Sequence, residues 1–164
     1  MPNNFIIVTD RGGHLHDALR LVSQMGVTPQ ALITTFGPDV DYLTRTEKLK
    51  DCKIYSVPLA FFWIGKKRIF NPFIFLSQVF KSVLILMKMR PEFVISTGAT
   101  TTVIPCYLAR CLGSQIIHIE NLAQVVNPSI AGRLLYPIAT HFFVQWPDLL
   151  KRYGEKAIYA GNIV

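Results

Sequence analysis

The sequence predicts an α/β fold: a Rossmann-like, open and mostly parallel sheet with helices on both faces. Three observations predict it. Short apolar runs alternate with stretches of helical periodicity along the whole chain. The runs are continuously apolar rather than alternating, as strands covered on both faces are. Glycine and proline fall where helices should end.

Residues 5–9 form the first such run. Gly12 and Gly13 follow, then a helix whose apolar positions Leu15, Ala18, Leu19, Val22 and Met25 recur at steps of three and four. Gly26 sits where a left-handed C-terminal cap wants glycine. Strands are expected at 31–34, 53–57, 93–96, 116–119, 142–144 and 157–159. Further helices are expected at 101–112, closed by Gly113, at 130–139 despite Pro137, and at 148–153. No repeat or low-complexity linker divides the chain, so residues 1–164 read as a single domain. In such sheets ligands bind beyond the C-terminal ends of the strands.

Composition narrows the setting. The chain is 51% hydrophobic and 16% charged, apolar for a freely soluble protein of 164 residues. No long uncharged apolar run argues for a plain transmembrane span, and the N-terminus lacks a signal-peptide pattern. A cytoplasmic setting is the expectation. The net charge is +7, and ten of the seventeen Lys and Arg residues lie between Arg45 and Arg90, against Glu47 and Asp51 alone. Basic residues in aliphatic and aromatic company suit an anionic membrane surface better than a nucleic acid. Cys52, Cys106 and Cys111 have no metal-like spacing and read as free thiols.

Segment 57–89 is the unusual stretch. Asn71-Pro72 is a good helix start, and the helix can run to Met89, roughly 28 Å. Ser77, Gln78, Lys81 and Ser82 form one narrow polar stripe on an otherwise apolar cylinder. The loop before it places Phe61, Phe62, Trp63 and Ile64 ahead of Lys66, Lys67 and Arg68, the make-up of an interfacial membrane anchor. A hydrophobic subunit interface is the competing reading, and a homodimer through this segment is one form of it.

Three motifs fall at expected strand ends. In TDRGGHLHDALRL (9–21) the glycine pair lets backbone approach a ligand, and the helix start offers N–H groups and a positive dipole to a phosphate. Arg11 and His14 add donors; Asp10 suits a helix cap better than an anion site, and His16 and Asp17 are expected exposed on the first turn. In ISTGATTTVIPCYLARCLG (95–113) Gly98, Ala99, Thr100 and Thr101 could form a second anion-friendly turn facing the first, or Thr100 or Thr101 simply caps a helix. In the third, Glu120 and Asn121 follow a buried strand, where they can hold sugar hydroxyls or only cap a loop; His118, inside the strand, reads as a core histidine.

Together GGH, STGATTT and HIEN followed by SIAGRLLYPIATHFFVQWPD resemble the N-terminal half of GT-B glycosyltransferases that form lipid II. More closely, nearly the whole chain resembles the stand-alone version of that half. This is the membrane-anchoring subunit of the dolichol-linked N-acetylglucosamine transferase and its bacterial capsule and exopolysaccharide counterparts. The last third, from His118 to Asn162, is the most specific stretch. The resemblance implies a two-component enzyme working at the cytoplasmic face of the plasma membrane. This chain would bind a lipid-diphosphate-linked saccharide, with Arg11, Gly12, Gly13, Thr97, Gly98, Ala99 and Asn121 around its diphosphate. The partner would carry the UDP-sugar donor, so this chain is expected to bind no cofactor. No metal is expected in it either. Val164 falls where a one-chain enzyme would continue into its donor domain. Two departures stand out: Asp10 and Arg11 replace the family's usual Gly or Ser before GGH, and the first strand begins without the eukaryotic anchoring helix.

Sugar transfer needs a base near the acceptor hydroxyl and positive charge or dipoles near the leaving diphosphate. His14 is the first candidate base or orienting group and Glu120 the second. A non-catalytic membrane scaffold is the rival. A dinucleotide-binding domain is disfavoured, since G-x-G-x-x-G does not follow the first strand.

Overall fold

The computed structural model describes residues 4–44, 49, 51–64 and 67–162; side chains at 41, 43, 44, 61–64 and 67–69 lie outside the description. Seven parallel strands form one sheet. They are β1 (Phe5–Val8), β2 (Ala31–Thr35), β3 (Lys53–Val57), β6 (Phe93–Ser96), β7 (Gln115–Ile119), β8 (His141–Val144) and β9 (Ala157–Tyr159). Their order across the sheet is β3-β2-β1-β6-β7-β8-β9. The chain winds outward one way from β1 and then returns to β6 to wind the other way. The crevice between β1 and β6 is therefore the topological switch point where such sheets bind ligands.

Successive strand residues face opposite sides. Phe5 and Ile7 of β1 join Leu15, Ala18, Leu21 and Val22 of α1 (Gly13–Met25) in a core on one face. Ile6 and Val8 point to the larger core on the other. That core holds Ile85 and Leu86 of α3 (Pro72–Met89), Cys106 and Ala109 of α4 (Val103–Cys111), Leu135 of α5 (Ile130–Leu135), and Leu149 beside α6 (Leu150–Tyr153). Gly26 closes α1 at φ 64°, as its position in the sequence predicts.

The structure departs from the expected elements in several places. Residues 61–64, expected as loop, are β4 (Phe61–Ile64), paired antiparallel with β5 (Lys67–Phe70) so that Trp63 stands opposite Arg68. Lys66 lies outside the described residues, as do the side chains of Phe61, Phe62, Trp63, Lys67 and Arg68. An unforeseen helix α2 (Pro38–Thr44) follows β2. The helix expected from Thr101 begins as a 3-10 turn at Thr100–Thr102, and the one expected to reach Ala139 stops at Leu135. Tyr136 keeps helical angles (φ −50°, ψ −45°), but Pro137 has no N–H to give back to Arg133, and the ladder of α5 breaks there.

The helix α3 is inverted. Asn71 caps it, its side chain accepting from Phe73 N at 3.0 Å and Ile74 N at 3.1 Å. The residues it buries include the polar Gln78 and Ser82 beside Ile85 and Leu86. Gln78 Nε2 donates to the Thr101 carbonyl at 3.1 Å. The single polar stripe expected from the sequence is thus split: Gln78 and Ser82 face inward while Lys81 is exposed. On the opposite side Phe73 (80% exposed), Leu76, Phe80, Leu84 and Met87 stand in solvent. Their spacing of three and four places them on one helical stripe. Lys81 flanks it, with Nζ 5.6 Å from the centre of the exposed Phe36 ring. By length and composition α3 is a candidate membrane span, yet its inner face is packed on the protein.

Candidate functional site at the strand ends

Three turns converge at the C-terminal ends of β1, β6 and β7. After β1, Gly12 takes φ 74° and ψ −135°, a conformation open to glycine, and α1 begins at Gly13. The turn after β6 is held by hydroxyls. Ser96 Oγ donates to Thr102 Oγ1 at 2.9 Å, Thr102 Oγ1 donates to the Ala99 carbonyl at 2.9 Å, and Thr97 Oγ1 reaches Thr9 Oγ1 at 2.8 Å. Ala99, not a glycine, sits at φ 71° and ψ 148°. That is a region L-residues rarely occupy, at a cost of about 1–3 kcal/mol.

His14 lies at the centre. Its Nδ1 is 3.0 Å from the Thr97 carbonyl and 3.1 Å from Asn121 Nδ2. The Asn121 amide is oriented by Ala123 N, which donates to Oδ1 at 2.7 Å, and its Nδ2 also approaches Asp17 Oδ2 at 3.5 Å. Gly98, at φ 94°, closes over the ring: a Cβ there would come within 3.2 Å of His14 Cε1 and Nδ1. Among the described residues no group bonds His14 Nε2, which leaves that nitrogen open to a ligand. The structure thus brings together His14, Thr97, Gly98 and Asn121. It adds Asp17, expected on the exposed first turn but half-buried against Asn121. Burial raises the Asp17 carboxyl, against the positive charges of His14, His16 and Arg20.

Three expected site residues are placed otherwise. Glu120 is 1% exposed. Its carboxylate accepts from Asn121 N at 3.0 Å, from Ser129 N at 3.4 Å and from the Tyr153 hydroxyl. Burial and the Glu120 charge push the Tyr153 phenol upward, so it keeps its proton and donates. A carboxylate so engaged is a tie between the β7 turn, α5 and α6, not a base facing the cleft. Arg11 turns away, its guanidinium donating to the Phe36 carbonyl at 3.1 Å. The Gly12 amide is engaged by Asp39 Oδ2 at 2.9 Å, so a carboxylate of α2 already meets the glycine turn. Asp10 does not cap α1. It accepts from Arg11 N at 2.8 Å and from the Thr35 hydroxyl. A groove of about 420 Å³ runs beside this turn, lined by Gly12, His16, Asp39 and Tyr42.

His118 is the core histidine expected. It is fully buried, its ring tilted at 35° against Phe142 with centres 4.8 Å apart, Nδ1 3.3 Å from Ser96 Oγ and Nε2 without a partner among the described residues. Burial lowers its pKa to about 4, against the opposing charge of Glu120.

A family model described as "Oligosaccharide biosynthesis protein Alg14 like" matches residues 5–163. The UDP-N-acetylglucosamine transferase subunit ALG14 of Homo sapiens is 31% identical over 187 residues, spanning 98% of this chain and 83% of the human protein. The Rattus norvegicus subunit is 26% identical over 185 residues, spanning 97% of this chain and 82% of its own length. Among solved structures, Acinetobacter baumannii MurG superposes with a TM-score of 0.66 at 19% identity, over 88% of this chain and 41% of MurG. UDP-GlcNAc 2-epimerase from Neisseria meningitidis superposes with a TM-score of 0.62 at 17% identity, over 97% of this chain and 47% of the epimerase. Identities this low establish the shared fold and not the reaction, and this chain spans less than half of either structure.

Proposed function

The chain belongs to the Alg14-like family of oligosaccharide biosynthesis proteins, and from that premise we propose that it is the acceptor-side, membrane-docked subunit of a two-component glycosyltransferase. The partner carries a UDP-sugar, UDP-N-acetylglucosamine being the donor its relatives' names suggest. The acceptor is a hydroxyl of a saccharide linked through a diphosphate to a polyisoprenoid. The relatives named above are eukaryotic, so an undecaprenyl carrier, a bacterial plasma membrane and a capsular or exopolysaccharide product rest on the sequence resemblance alone.

The observation that carries this reading is His14 Nε2 at the switch point, which no group among the described residues bonds. In the proposed reaction Nε2 takes the acceptor hydroxyl proton as that oxygen attacks the anomeric carbon. The bond from that carbon to the diphosphate oxygen breaks, and the nucleoside diphosphate leaves on the partner. Backbone amides heading α1 and the turn at Thr97 and Gly98 are the candidate contacts for the acceptor diphosphate. The exposed stripe of α3 and the basic β4–β5 hairpin are the proposed membrane contact. Because Gln78, Ser82, Ile85 and Leu86 are packed inward, α3 lies along the bilayer surface in this reading rather than across it.

The test is sugar transfer to a lipid-diphosphate saccharide in membranes, with this chain alone, the partner alone, and both. Activity only with both supports the split enzyme. Full activity from the partner alone reduces this chain to a scaffold, and activity from this chain alone places the donor site here.

A further inference from the structure

His14 Nδ1 has two neighbours that make opposite demands. The Thr97 carbonyl at 3.0 Å can only accept, so it wants a proton on Nδ1. Asn121 Nδ2 at 3.1 Å can only donate, so it wants a lone pair there. The amide cannot simply be turned over, because Ala123 N donates to its oxygen at 2.7 Å. The two neutral tautomers of His14 are therefore set against each other, and only the form with Nδ1 protonated leaves a lone pair on the open Nε2. A third group decides between them. Asp17 lies one helical turn after His14 on α1, and its Oδ2 is 3.5 Å from the same Asn121 Nδ2. The amide nitrogen has two N–H groups and can serve both neighbours, so charge decides: a carboxylate reached through Asn121 on the Nδ1 side of the ring favours the proton on Nδ1.

Building on the reading of His14 as the base, we propose that Asp17 is its positioning residue: acting through Asn121, it holds the ring with Nδ1–H on the Thr97 carbonyl and Nε2 open, and offsets the charge the ring gains when it takes a proton. The hydrogen bond at one imidazole nitrogen fixes what the other can do, and a carboxylate behind a histidine serves this purpose in acyl transfer too. Here an amide stands between the two. Asp17 is half-buried among neighbours that suit the task. His16 and Arg20 face it from α1, and Asn121 faces it from the β7 turn. His14 in turn is faced by Asp17 from α1 and by His118 from β7. Burial keeps His118 neutral at ordinary pH, so Asp17 supplies the negative charge acting on the ring from α1. Nothing on the first turn of an amphipathic helix marks Asp17 in sequence; its role rests on the meeting of residues 104 positions apart.

The experiment uses the full chain in lipid nanodiscs with its partner bound. Nitrogen-15 spectra of the His14 ring, assigned by their loss in His14→Gln, report tautomer and titration midpoint without any need for turnover. In the wild type the Nδ1–H form should dominate above the midpoint. Asp17→Asn should mix the tautomers and lower the midpoint by about one pH unit. It should also move the acid limb of kcat to lower pH and reduce kcat on the order of 10-fold with KM little changed. Asp17→Glu should restore all of these. An unaltered tautomer and midpoint in Asp17→Asn overturns the inference about Asp17. Undiminished turnover in His14→Gln overturns instead the reading of His14 as base, and the two failures are read on different instruments.

Discussion

The helices α1 and α3 cover opposite faces of the same sheet and use their sequences in opposite ways. α1 buries Leu15, Ala18, Leu21 and Val22 and exposes His16 and Arg20. α3 buries Gln78 and Ser82 among its inward residues and exposes Phe73, Leu76, Phe80, Leu84 and Met87. Both patterns have helical period, so period alone identifies which residues share a face and not which way that face points. The inverted face needs a second partner, because five large apolar side chains in water are a standing liability. The inner face also reaches the segment that follows Gly98, where Gln78 donates to the Thr101 carbonyl.

The contrast can be broken most sharply by matched truncations. Leu15→Ala on α1 removes a side chain 4% exposed and should cost about 2–5 kcal/mol in urea unfolding. The triple change Phe73→Ser, Phe80→Ser, Leu84→Ser on α3 should leave stability within about 0.5 kcal/mol. It should still weaken binding to anionic vesicles at least about 10-fold, since fully burying each such side chain is worth about 1.5–3 kcal/mol. Unfolding of the triple variant would show that the stripe is internal. Unchanged vesicle binding with loss of self-association would assign the stripe to a dimer.

The buried histidine gives a pH effect of comparable size. Its folded pKa lies below the unfolded value, so the unfolded chain takes up the proton first as pH falls. The stabilising contribution is full above about pH 6.5 and is lost progressively toward the folded value of about 4. The total is on the order of 3 kcal/mol. Chemical denaturation across this range should show it, and His118→Asn should flatten that part of the curve. Next in size, Gln78→Ala should cost about 1–3 kcal/mol by leaving a buried carbonyl without its donor. Smallest, Ala99→Gly should raise stability by about 1 kcal/mol or less, the relief of φ 71° being offset by glycine's freedom in the unfolded chain.

Much of this architecture is legible in the sequence. The strands declare themselves as short apolar runs, and Gly26 and Asn71 mark helix ends by mechanisms that the structure bears out, whereas α5 stops before Pro137 instead of running on to Ala139. The hairpin β4–β5 was obscured because its residues read as one apolar-basic loop, although Gly65-Lys66 separates two four-residue runs. α2 is short and follows Gly37-Pro38, a pair that signals a turn as readily as a helix start.

At the site, His14, Thr97, Gly98 and Asn121 were foreseen, but the separation of Glu120 from Asn121 was not. Strand parity accounts for it. Glu120 continues the face of Ile116 and His118, toward α5 and α6, while Asn121 continues the face of Ile119, toward α1. Which face carries α1 follows from the handedness of the winding and not from any single motif, so adjacent residues of one motif came to serve two different neighbourhoods.

The central claim is that His14, not Glu120, faces the reacting hydroxyl. The most direct measurement is single-turnover sugar transfer to a lipid-diphosphate saccharide by the assembled two-subunit complex, comparing wild type, His14→Ala and Glu120→Gln at equal complex formation. The account predicts that His14→Ala slows the chemical step about 10²–10⁴-fold with the complex intact, while the folded fraction of Glu120→Gln transfers near the wild-type rate. A His14→Ala complex that turns over normally, or a folded Glu120→Gln complex that does not, would contradict it.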